Sequence, residues 1–200
     1  EEKMKKLRKI MFMVIVFVLC ITAVPVEAQA ASSKNKKAHK AYQKQLKKDK
    51  KKYRSGKEKL KYAYKDLNGD GIDELITEPD FGYCSQIIYT YKGGKVKKLI
   101  EVGQGEFTQY YKKNRVLHYY GSHMSNSHDE YYKFQNNKYK CVAHKDVEFD
   151  WNMETEEEIY TTSYYVKGKK VDKKVYTSYV KKLTKGDKAK SFRKIKRKKY

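Results

Sequence analysis

Apolar and polar positions alternate with a period of two through much of the middle of this 200-residue chain. Leu60-Lys61-Tyr62-Ala63-Tyr64-Lys65 keeps that period, and Glu74-Leu75-Ile76-Thr77 runs to Pro79, a residue confined to strand ends and edges. Gln86–Lys92 and Lys95–Val102 flank Gly93-Gly94, a pair suited to a two-residue hairpin turn. Residues 107–113 and 115–120 reverse near Asn114, and residues 131–135 and 138–143 reverse at Asn136-Asn137, where positive φ is tolerated. A last strand is predicted over 158–166, closed by Gly168. The period then becomes helical. Val175, Tyr176, Tyr179, Val180 and Leu183 form one stripe behind Asp172, a good N-cap, and Gly186 is placed to end it. A thinner stripe, Ala38, Ala41, Tyr42 and Leu46, predicts a short N-terminal helix that docks on the sheet or frays, with Ser55-Gly56 before the first strand. The expected fold is α+β: a twisted antiparallel β-meander with an N-terminal and a C-terminal helix packed against it.

Composition changes the picture at the two ends. Lys5, Lys6, Arg8 and Lys9 precede an apolar run over residues 10–24, and Ala28-Gln29-Ala30 offers small residues for cleavage, so residues 1–30 read as a secretory signal peptide. The run is shorter than the roughly 20 residues of a membrane span, and a retained anchor is the alternative. Leu19 before Cys20 argues against lipoprotein processing. The chain then divides into a Lys-rich helix and linker over 31–57, a β-rich domain with its C-terminal helix over 58–185, and a basic tail over 186–200. A secreted or cell-surface monomer is expected.

Twelve basic residues stand against one acid in 34–57, sixteen against two in 167–200, and fourteen against eighteen in 58–166. A mildly acidic body between cationic segments suits work beside polyanions, which for an exported chain are cell-wall teichoic acid or an anionic membrane surface. Nucleic acid obeys the same physics but is not expected outside the cell. Lys-rich blocks are equally solvated faces. The 20 tyrosines suit half-buried strand positions, and also stacking on sugar rings.

The stretch richest in candidate chemistry is Asp66-Leu67-Asn68-Gly69-Asp70-Gly71-Ile72-Asp73-Glu74. Oxygen-bearing side chains stand at its first, third, fifth and ninth positions, and Gly71 at the sixth permits a sharp turn. Ca2+ takes six to eight oxygens at about 2.3–2.6 Å. The expected ligands are Asp66, Asn68, Asp70, the Ile72 carbonyl and, directly or through water, Glu74. Asp73 is expected to point outward or to support the site from behind. An EF-hand would add a bidentate glutamate at position twelve, where this chain has Thr77, and the flanks here read as strands. The nine residues resemble the D-x-N-G-D-G loops of integrin-type FG-GAP or VCBS repeats. They are also similar to the single D-x-N-G-D-G-x-x-E-L-I segment of small, β-rich secreted proteins of Gram-positive bacteria. That resemblance implies Ca2+ in a strand-loop-strand site. The loop occurs once, so no propeller is implied. Without the twelfth-position acid, affinity belongs near 10⁻⁴ to 10⁻³ M, on the order of extracellular modules. A metal-free Asn-Gly, Asp-Gly turn is the competing reading.

Other candidates are weaker. His118, His123 and His128 fall in a Gly/Ser/Asn-rich stretch read as a loop, with His144 beyond, at spacings unlike those of zinc sites. Cys84 and Cys141 permit a disulfide or two small buried hydrophobes. Catalytic motifs such as G-x-S-x-G, H-E-x-x-H or a phosphate loop are missing from the sequence. The sequence thus suggests a secreted or cell-surface, non-catalytic calcium-binding protein, with a cell-wall or polyanion-binding module as the alternative.

Overall fold

A computed structural model describes residues 26–52, 59–79, 85–103 and 105–200, with side chains from residue 33 onward. The chain forms two compact units, 1–36 and 37–200; the first is described only over 26–36, the opening turns of helix α1 (Val26–Lys52). Ala28-Gln29-Ala30 lies within that helix, and the rest of the expected signal peptide lies outside the described residues.

Strands β1 (Leu60–Lys65), β2 (Glu74–Pro79), β3 (Gln86–Lys92) and β4 (Lys95–Val102) form an antiparallel meander. A second meander contains β5 (Gly105–Tyr111), β6 (Val116–His123), β7 (Asn126–Gln135), β8 (Lys138–Asn152), β9 (Glu157–Val166) and β10 (Lys169–Val171). Helix α2 (Lys173–Thr184) follows, then β11 (Lys190–Ser191) and β12 (Lys198–Lys199). The result is a five-stranded sheet ordered β12-β1-β2-β3-β4 and a seven-stranded sheet ordered β10-β9-β8-β7-β6-β5-β11. The expected α+β class is realised, with the meander divided between two sheets. The division falls between β4 and β5. There a Cβ on Gly105 would stand 2.5 Å from the Tyr120 carbonyl and the Tyr119 hydroxyl, so the chain enters the second sheet where only glycine fits.

Alternation along each strand builds two cores. Ala63, Ile76, Ile88 and Leu99 of the first sheet pack against Phe107, Leu117, Tyr119 and Tyr139 of the second. Leu60, Leu75, Ile87 and Tyr89, on the opposite face of the first sheet, receive Ala38, Tyr42 and Leu46 of α1. Leu75 and Ile76, consecutive residues, are both 0 % exposed, because β2 is covered on both faces. The thin stripe read for α1 therefore docks. Asp49, 0 % exposed on the same helix face, accepts hydrogen bonds from the Thr77 hydroxyl at 3.3 Å and the Tyr89 hydroxyl at 3.1 Å.

Helix α2 starts as read, with Asp172 Oδ1 accepting from the Val175 N–H at 2.8 Å. Its Tyr176 ring packs on Tyr164 of β9. Asn114, in the β5–β6 turn, donates from Nδ2 to the carbonyls of Leu183 and Lys185 and so ties down the end of the helix.

One stretch differs in kind from expectation. The stretch containing His118, His123 and His128 is not a loop but the β6–β7 hairpin, turned at Met124 and Ser125, whose φ values are 46° and 67°. Its hidden cause is a turn without Gly or Asn at those positions. Residues 186–200, expected as a frayed tail or a short edge strand, take the second form. β11 pairs with β5, β12 pairs with β1, and Phe192 between them is 0 % exposed in the core between the sheets.

Candidate metal centre

The nine-residue loop joins β1 to β2, and its backbone amides hold its own side chains. The N–H groups of Gly69 and Gly71 donate to Asp66 Oδ1 and Oδ2 at 2.7 and 3.2 Å. The Asp70 N–H donates to Asn68 Oδ1, and the Ile72 N–H to Asp70 Oδ1, both at 2.9 Å. Gly69 and Gly71 sit at φ +77° and +80°, the left-handed region that lets the loop curl this tightly. Asp66, Asn68 and Asp70 are thereby each fixed against the turn. The Lys112 ammonium stands 2.7 Å from Asp66 Oδ2, which holds this lysine above its ordinary pKa by hydrogen bonding. The loop already draws one cation to its edge.

Glu74 is placed differently from its neighbours. It is 0 % exposed, and its carboxylate accepts from the Leu67 N–H at 2.9 Å, Asn68 Nδ2 at 2.9 Å and the Thr90 hydroxyl at 3.1 Å. Burial pushes its pKa up to about 8, against the lowering effect of the Leu67 hydrogen bond and with Asp70 adding to the rise. Glu74 thus supports the loop from beneath. Asp73 turns toward α1: its Oδ2 lies 3.0 Å from His39 Nε2, and its carbonyl accepts from the Tyr42 hydroxyl at 2.9 Å. Asp73 therefore links the loop to the helix.

Among the described residues, no three His, Cys, Asp or Glu side chains converge closely enough to hold a metal ion. The donor set facing a cation would therefore be mixed: the carboxylates of Asp66 and Asp70, the Asn68 amide oxygen and the Ile72 carbonyl. These are hard oxygens throughout, the chemistry that Ca2+ selects. One further atom bears on the fit. The Tyr139 hydroxyl is buried without a hydrogen-bond partner among the described residues. Burial raises its pKa, and Glu74, Asp66 and Asp70 raise it further, so it lies within the electrostatic reach of the loop. A buried hydroxyl without a partner is a place where an ordered water would find one.

The histidines form pairs instead of a cluster. Thr108 Oγ1 lies 2.9 Å from His118 Nδ1, and His118 Nε2 lies 2.6 Å from Asp129 Oδ1, with the imidazole stacked on Tyr131. Hydroxyl, imidazole and carboxylate in that order form a nucleophile relay in enzymes. Here the Thr108 hydroxyl is also 3.3 Å from the His118 carbonyl, at the bulge where the β5–β6 ladder skips Thr108. It replaces a missing ladder bond. His128 and His144 both approach Asp146, at 3.0 and 3.5 Å. The Cys141 thiol is free, and burial and Glu130 push its pKa up to about 12, which leaves it a poor nucleophile. Cys84, for which the sequence leaves open a disulfide with Cys141 or a second small buried hydrophobe, lies outside the described residues.

Compared with known protein families, curated proteins and solved structures, the chain has no match.

Proposed function

We propose that the chain is a secreted or cell-surface, non-catalytic calcium-binding protein, in which Ca2+ orders the loop between β1 and β2. The observation that carries the proposal is the loop's own hydrogen-bond pattern: its amides hold each of Asp66, Asn68 and Asp70 against the turn, so that less ordering remains to be done when a cation arrives. Asp66, Asn68, Asp70 and the Ile72 carbonyl hold the ion, and Glu74 braces the turn below it. Bound Ca2+ supplies the positive charge that Lys112 now supplies to Asp66 alone. With few protein ligands and the remainder water, the affinity belongs near 10⁻⁴ to 10⁻³ M, on the order used outside cells.

Thermal melting tests the proposal. At ten times Kd, binding adds about 1.4 kcal/mol, or about 3–6 °C in Tm for a chain of this length. Asp70→Ala should abolish the shift. Equal midpoints for the wild-type chain in millimolar calcium and in chelator would refute the proposal.

A further inference from the structure

We infer that the seam between the two sheets carries a binding groove for a linear phosphate polymer, formed by the C-terminal strap, residues 186–200. A concavity of about 910 Å³ lies between Tyr64 and Lys65 of β1, residues 108–110 of β5, and residues 189–191 and 193–196 of the strap. Five cations line it: Lys65, Lys190, Arg193, Lys194 and Lys196. Arg193 pairs with Glu106. Among the described residues the other four have no carboxylate within ion-pairing distance, and only Lys190 has a weaker partner, the Tyr110 ring 6.0 Å away. Such charge calls for counter-anions.

The strap is anchored, which separates these cations from a solvated tail. Phe192 is fully buried, its N–H donates to the Thr108 carbonyl at 2.9 Å, and the Tyr200 N–H donates to the Leu60 carbonyl at 2.8 Å. Arg197 binds the carbonyls of Phe192 and Ile195 and pairs with Glu78 at 3.3 Å. Phe192, Ile195, Arg197 and Tyr200 point inward or lie half-buried, while residues 193, 194, 196, 198 and 199, all basic, are exposed. Their backbone is thus fixed before any ligand arrives, which lowers the ordering cost of binding.

The positive surface continues. Lys190 also lines a second concavity of about 420 Å³, with Lys112, Lys113 and Arg115, and with Asp187 and, from the β1–β2 loop, Asn68 and Gly69; Lys112 there is paired with Asp66. Two concavities that share Lys190 in their lining suit a chain of anions better than a single one. The aromatic rings there are already engaged: Tyr110 is 4 % exposed, and Tyr64 stacks on His39 with centroids 4.0 Å apart. No free ring is offered to a nucleobase, so recognition falls on the phosphates, unlike binding of single-stranded nucleic acid through stacking. The concavity likewise favours a thin polymer over a flat bilayer.

Fluorescence anisotropy of labelled linear polyphosphate with the full chain tests this. The triple variant Lys190→Gln, Lys194→Gln, Lys196→Gln should weaken binding at least tenfold at about 50 mM salt, and flatten the log Kd against log salt slope by roughly two units. The control Lys44→Gln, Lys47→Gln, Lys48→Gln removes the same charge from the exposed face of α1 and should change Kd less than twofold, with both triples melting like wild type. Equal weakening by the two triples would overturn the groove, as would absence of wild-type binding. Tighter binding of oligo(dT) with the same number of phosphates would overturn the charge-only reading. Groove-dependent capture by phosphatidylglycerol vesicles in preference to polyphosphate would assign the surface to a bilayer and overturn the polymer.

Discussion

Glu74 has no contact with water, so the protein itself has to satisfy its carboxylate, and three donors do so. Removing them from balance is costly. Glu74→Ala should destabilise the chain by about 3 kcal/mol or more in urea unfolding, since the Leu67 N–H, the Asn68 amide and the Thr90 hydroxyl lose their acceptor. This placement was legible in part. Glu74 opens β2, and the strand's period of two sends it with Ile76 toward the face between the sheets instead of toward the loop. A ligand count by position hides that alternation. Lys112 lies 46 residues from Asp66 in sequence, so nothing local announces their contact. Lys112→Gln should strengthen calcium binding several-fold by freeing Asp66, as read by titration, and unchanged affinity would show that the ammonium and the ion do not compete. Asp129 is a separate case. Burial raises its pKa, but His118 and Lys145 outweigh that, and the net shift is downward. A carboxylate whose folded pKa is depressed stabilises the fold above its unfolded pKa of about 3.9 and loses that contribution as pH falls through the folded value. Asp129→Asn should therefore cost about 1 kcal/mol at neutral pH, and the gap from wild type should close below about pH 4.

At the scale of elements, local signals located β1, β3, β4 and α2 because each carries its own period and its own punctuation: Gly93-Gly94 between strands, Asp172 and Gly186 around the helix. Strands β7 and β8 were read too short. β8 runs to Asn152, through a segment where Trp151 is 45 % exposed and whose residues 146–158 include seven acids and no base. Past Val147 and Phe149, strand β8 has no β7 partner, and acids along such an open edge oppose pairing with another chain. That continuation depends on pairing between strands, not on an apolar face, so periodicity does not show it. The C-terminal strap is similar. Its Lys-rich composition suggests a tail, but Phe192 and two short edge pairings fix it. Phe192→Ala should cost about 3–5 kcal/mol, because the ring fills the core beside Phe107 and Tyr110 and leaves a cavity there. A loss below 1 kcal/mol in urea unfolding would mean that the strap is not part of the cooperative unit.

Over residues 37–200 the layers run from α1 through the first sheet to the second, with α2 docked on β9. The loop is held at three points in this arrangement: Glu74 reaches the core between the sheets, Asp73 reaches α1, and Asp66 reaches Lys112 beyond β5. Ordering the loop is therefore coupled to the register of β1 with β2 and to the seat of α1. Leu46→Ala, which opens a cavity under α1, should cost about 2–5 kcal/mol, and a loss of that size in denaturant unfolding would show that the helix is an integral layer. The charge that dominates composition resides in residues 34–57 and 167–200, whereas the loop lies in the mildly acidic middle. The most direct measurement of the central claim is calorimetric titration of Ca2+ into the metal-stripped chain. A single saturable site with Kd near 10⁻⁴ to 10⁻³ M, on the order of other extracellular calcium modules and lost in Asp70→Ala, is the predicted result. Heats indistinguishable from dilution, or binding that Asp70→Ala leaves intact, would contradict it.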